Sequence, residues 1–298
     1  MTNGDNTSEL PESWSREHPH AAEILAVEVA IQDHPGQKLA LRLRDLERIF
    51  TAWAGFSVGL GRLLEKCETH EPTITELVIR NVGDTSQRAA ITTALDQATV
   101  AYVAGLGALI DHTRIVLKSQ ADEIQTEHAD LLRSMTATVP AALFLAKLRT
   151  YVLHYVVAPW EFTAEQNGDT ITAKVLLATD ELLKIEWQAP VRSFIKLSGS
   201  QIHLSPLLNP YLNAMHSLTT SFIERCWQAN ARLFDEVDAL VAKRNLLLSG
   251  GVTDGRDWAA RVANMEENIK RAERGEMQVN FQTGRPFQMD PELEGHAP

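Results

Sequence analysis

The chain has 298 residues, of which 44% are hydrophobic and 22% charged. That is enough apolar material for one large domain or two ordinary ones, and it excludes a wholly disordered chain. A net charge of −11 and a sequence pI near 5.4 exclude a broad basic face for nucleic acid, though not a small basic pocket.

The two cysteines, Cys67 and Cys226, form no CxxC pair and no disulfide framework, and they fit a reducing cytoplasm. The opening MTNGDNTSEL has neither the basic start nor the apolar core of a signal peptide. The longest near-apolar run, Ala98 to Ile110, has thirteen residues and two glycines. Taken by itself it is too short to span a bilayer, so no membrane partner is expected.

Residues 1–19 are polar and read as a disordered tail. A short helix is predicted over Ala21–Gln32, ended by the turn His34-Pro35-Gly36. From Lys38 the residues Leu39, Leu43, Leu46, Phe50, Trp53, Ser57, Leu60 and Leu64 alternate steps of four and three, the stripe of a long helix. Glycines 55, 59 and 61 on it suggest a neighbouring helix at close range. Pro72–Asn81 reads as a short helix capped by Thr73 or Thr75. A long helix starts at Ser86 and runs to about Ser119, with Leu95, Ala98, Tyr102, Gly105, Leu109, His112 and Val116 on one face. A more charged helix follows over Ala121–Met135.

Pro140 to Pro159 is the most apolar helical stretch. Thr138 suits its cap and Pro140 its first position, and Pro159 pushes Ala158 out of the helical region. Leu143, Ala146, Arg149/Thr150, Leu153 and Val157 form its stripe, while Phe144, Leu148 and Tyr151 cover other faces. Such a helix is expected to be buried all round, in surroundings that disfavour the charge of Lys147, Arg149 and His154.

After Pro159 the period changes to two. Trp160, Phe162 and Ala164, then Ile171, Ala173, Val175 and Leu177, flank Asn167-Gly168, predicting a β-hairpin at about 160–178 with Asn-Gly as its turn. Thr179 is expected to cap the helix that follows. Further along, a short helix is predicted at Pro190–Leu197, stopped by Gly199, and a short strand at Ile202–Leu204. Ser205-Pro206 opens a helix, and one unbroken helix is predicted from Tyr211 to Leu248, closed by Gly250-Gly251. The last helix, Arg256–Arg274, mixes both charge signs and looks surface-lying. Residues 276–298 read as a flexible tail. The expected architecture is mainly α: a single domain over 20–275, built as a bundle of long antiparallel helices with one inserted hairpin.

P-loop, GxGxxG, G-x-S-x-G, HExxH and EF-hand spacings are absent. His18-Pro19-His20 has no third ligand nearby, and His70, His128 and His203 have no partners at ligand spacing, so no metal and no cofactor is predicted.

Arg149-Thr-Tyr-Val-Leu-His154 is the one polar pair on the apolar stretch. It resembles the R-x(4–6)-H signature of the HEPN superfamily. The wider block, Leu-Arg-x-Tyr-x-x-His followed by Pro159, also resembles uncharacterised bacterial helical proteins. The HEPN resemblance implies an all-α bundle, usually a homodimer, and a metal-independent ribonuclease of toxin–antitoxin or phage-defence type. RNA would be the substrate and an antitoxin a further partner. It implies that His154 moves the proton of a ribose 2′-OH and that Arg149 stabilises the phosphorane charge. Five residues separate the two side chains by about 140° on a straight helix, so the long arginine or a second protomer would have to bring them together.

The residues leave a second reading open. The chain would then be a non-catalytic helical interaction module in which His154 is a core residue. Arg149 would be half of an ion pair with Asp111 or Glu127, with His112 and Arg114 as further polar neighbours.

Overall fold

The structure is a computed structural model that describes residues 20–79, 85–154, 158–168, 170–248, 255–279 and 286–287. The expected tail 1–19 and the Gly250-Gly251 stop lie outside the described residues. The fold is mainly α with an inserted β-hairpin, and eleven helices fall among the described residues. Contacts group the chain into two compact units, residues 35–234 and residues 1–34 with 235–298.

The larger unit holds the main core. Helix α2 (Pro35–Thr69) buries Leu39, Leu43, Leu46, Trp53, Ser57, Leu60, Leu64 and Cys67, the stripe its sequence spaces at threes and fours. α3 (Glu71–Ile74) runs directly into a π-helical turn, Thr75–Ile79. Its cap is His70, whose Nδ1 lies 2.9 Å from Thr73 Oγ1, so neither Thr73 nor Thr75 caps it. α4 (Ser86–Leu117) packs against α2 and buries Leu95, Thr99, Tyr102, Val103, Leu106 and Leu109. The whole helix carries an 18-residue window of mean hydropathy 1.4, long and apolar enough to cross a bilayer, which the run 98–110 taken alone is not. Trp53 lies 6.0 Å, centroid to centroid, from both Tyr102 and Tyr211 at the core centre.

α5 spans Asp122–Thr138 and α6 Ala142–His154, and the chain bends by 93° between them. Thr138 is therefore the last turn of α5 and caps nothing. Val139, which precedes Pro140, is driven to extended backbone (φ −113°, ψ 91°) and breaks the helix there. The proline forms the turn, and α6 starts two residues later than expected.

The hairpin belongs to a small three-stranded antiparallel sheet. β1 (Trp160–Asn167) pairs with β2 (Thr170–Ala178), the middle strand, and β3 (Gln201–His203) pairs along the end of β2. Asn167 pairs with Thr170 and so belongs to β1, and the turn begins at Gly168, one later than the Asn-Gly reading; residue 169 lies outside the described residues. Gly168 holds φ +63° and takes the left-handed position itself. α7 (Thr179–Leu182) is a single turn. Thr179 does not cap it: its hydroxyl donates to the Gly199 carbonyl at 2.8 Å and its N–H to that of Ser200 at 3.1 Å. α8 spans Ala189–Leu197.

The helix expected over 211–248 is two. α9 (Ser205–Ala229) stops at Asn230, and α10 (Ala231–Leu248) begins after it. Asn230 Nδ2 donates to Cys226 O at 2.8 Å and to Gln120 Oε1 at 2.9 Å, competing with the helical ladder as short amide side chains do.

In the second unit, α1 (Ala21–Asp33) presents Ile24, Val27 and Ile31 to Leu247, Leu240, Val241 and Leu248 of α10. Arg244 pairs with Glu28 at 3.1 Å beside this contact. α11 (Gly255–Glu273) precedes a ladder of β4 (Gln278–Val279) with β5 (Pro286–Phe287), which lies in the stretch read as a tail. Asn268 holds Val279 by both its backbone N–H and its carbonyl, each at 2.9 Å.

Candidate functional site

α6 does not bury all its faces. Phe144, Leu145, Leu148, Tyr151 and Val152 point into the core, with Phe144 stacked on Phe194 and Tyr151 on Trp187. Leu143 and Leu153, two members of the expected stripe, are partly exposed. Arg149 lies on the flank between these faces, 41% exposed, so the expectation that charge here is buried does not hold.

Gly107 of α4 positions that guanidinium. A Cβ on Gly107 would sit 2.6 Å from Arg149 Nη1 and 2.7 Å from Cζ and Nε, so the missing side chain is the space the group occupies. Arg149 Nη1 then reaches Asp111 Oδ2 at 3.5 Å, while Arg114 Nη1 reaches Asp111 Oδ1 at 3.3 Å. One carboxylate thus serves two guanidinium groups on a solvent-facing edge. Glycines 55, 59 and 61, expected to admit a neighbour, instead face open space.

Of the residues proposed from sequence, Asp111 and Arg149 come together. Glu127 does not join them: it pairs with Arg225, Oε2 to Nε at 2.6 Å, and that hydrogen bond holds its carboxyl below the usual range. His112 is exposed. His154 is the last residue of α6, and its side chain lies outside the described residues. Cys67 and Cys226 are buried and unpaired, their thiols pushed up to about 11 and about 12 by desolvation, so both stay protonated at neutral pH. Among the described residues no cluster of three potential metal ligands forms.

Two features had no signal in the sequence. Glu68 Oε1 accepts the Val175 N–H at 3.1 Å and lies 2.8 Å from His203 Nε2, at the point where β3 ends and β2 would have an open edge. The other is an apolar cavity of about 360 Å³ lined from α4, α5, α6 and α9.

The fold and these contacts define a mainly α protein in which the Arg149–Asp111 contact ties α6 to α4. Compared with family models, curated proteins and solved structures, the chain matches none.

Proposed function

We propose that the protein is a non-catalytic helical interaction module of the cytoplasm that pairs with a second copy of itself, with Arg149 and His154 serving the packing of α6. The Arg149–Asp111 contact above Gly107 carries this reading, because it gives the guanidinium an internal partner and a fitted place.

One observation favours a second reading, a HEPN-like metal-independent endoribonuclease with RNA as substrate and an antitoxin as regulator: Arg149 remains 41% exposed and could still meet a phosphate. Incubating the purified protein with total RNA, with and without EDTA, separates the two. The module reading expects no cleavage, a dimer by light scattering, and an effect of Arg149→Ala on melting alone. Cleavage that persists in EDTA and falls about a hundredfold to a thousandfold in Arg149→Ala would instead establish the enzyme. His154→Ala should then abolish it with the fold intact.

A further inference from the structure

The cavity of about 360 Å³ has room for roughly a dozen water-sized groups at about 30 Å³ each, the scale of a short hydrocarbon chain. Ile110, Met135, Met215 and Leu218 form much of its wall, and Leu132 and Leu143, 42% and 39% exposed, reach from it to solvent.

Charge enters this wall at one place. Among the described residues that line it there is no carboxylate. Desolvation lowers the His128 pKa and leaves that imidazole neutral at pH 7, and burial raises the Tyr211 hydroxyl, which stays protonated. Arg114 is the remaining titratable group of the wall, and its side chain is 67% exposed. An arginine so placed lays its aliphatic stem along apolar surface and keeps its guanidinium in water. Its counter-ion is shared. Asp111 accepts from Arg114 at 3.3 Å and from Arg149 at 3.5 Å, so one negative charge faces two positive ones.

We propose that the cavity binds a medium-chain monocarboxylate of roughly eight to ten carbons, with its chain against the apolar wall and its carboxylate on the Arg114 guanidinium at the rim. Two independent features meet in that ligand. The wall removes the chain from water, and the half-neutralised arginine offers a planar fork of N–H donors to a planar carboxylate. A cationic head would meet the same guanidinium with like charge, and no acidic group in the wall would offset it.

The test titrates the full chain calorimetrically at neutral pH with octanoate, octylammonium, 1-octanol and acetate. Octanoate is expected to bind saturably at one site and more tightly than octylammonium. Acetate, which has the head without the chain, is expected not to bind. Arg114→Gln should weaken octanoate by roughly two- to fivefold, the worth of an exposed ion pair, and leave octanol unchanged. Ala146→Phe, which fills the cavity from α6, should abolish octanoate binding. Absent or non-saturable uptake of octanoate, octylammonium binding as tightly, or acetate binding as tightly overturns the proposal. So does an Arg114→Gln variant that leaves octanoate unaffected or weakens octanol equally. Should Ala146→Phe fail to fold, the wild-type and Arg114→Gln titrations decide.

Discussion

Arg149 occupies the space that a side chain on Gly107 would fill, with Nη1 2.6 Å from the would-be Cβ. The nearest atoms are the far end of a flexible side chain, so an added methyl displaces the guanidinium and leaves the backbone where it is. Gly107 lies within a 32-residue helix, where alanine is favoured over glycine by roughly 1 kcal/mol. The half-exposed ion pair it would disturb contributes about 0–1 kcal/mol. Gly107→Ala should therefore leave the melting temperature unchanged or raise it, while detaching Arg149 from Asp111. A marked fall in melting temperature would mean that the guanidinium is fixed more firmly than this contact implies.

Glu68 closes the edge of β2 where β3 stops, taking the Val175 N–H at 3.1 Å. Glu68→Ala leaves that donor without its acceptor and should lower stability by roughly 1–3 kcal/mol in urea melts. Glu68→Gln retains a carbonyl acceptor and should recover most of the loss. Equal losses in both variants would assign the effect to the His203 contact.

His128 makes stability depend on pH. Desolvation lowers its folded pKa from the ordinary 6.5, so the unfolded chain takes up the proton first. Stability from this group is intact above pH 6.5 and is lost as pH falls from there through the lower folded value. Melting curves recorded downward from pH 7.5 should decline across that window, and the decline should be smaller in His128→Leu. Identical slopes in the two proteins would contradict the assignment.

The hairpin turn rests on Gly168 at φ +63°. A β-branched residue resists this region, and Gly168→Val should cost roughly 1–2 kcal/mol or more. Amide exchange across 165–171 should quicken in the variant, and unaltered exchange there would show that the turn does not set the register.

These four sites also separate what the chain states locally from what it does not. The stripe of α2 repeats every three or four residues and can be read off a short window, as can the change to period two at Trp160. The turn starts one residue later than Asn167-Gly168 suggests because Asn167 is taken up in the strand ladder with Thr170, a pairing set by the whole hairpin and not by the dipeptide. The break at Asn230 depends on Gln120, 110 residues away, which no window contains. Asp111 and Glu127 were equally plausible partners for Arg149 until the rotation of each helix was fixed. Gly107 carries its meaning only once α6 lies across it, and the Glu68 contact joins residues 107 positions apart.

Helix α5 has seventeen residues, and only Ile124 and His128 among them are buried. A helix so held exposes little apolar surface when it peels away, so its release takes less free energy than global unfolding. Its backbone amides should then trade deuterium in a sub-global opening that leaves the Trp53, Tyr102 and Tyr211 cluster intact. Among the helices of the larger unit, a protease given the native protein would cut there before it cut those that hold the cluster.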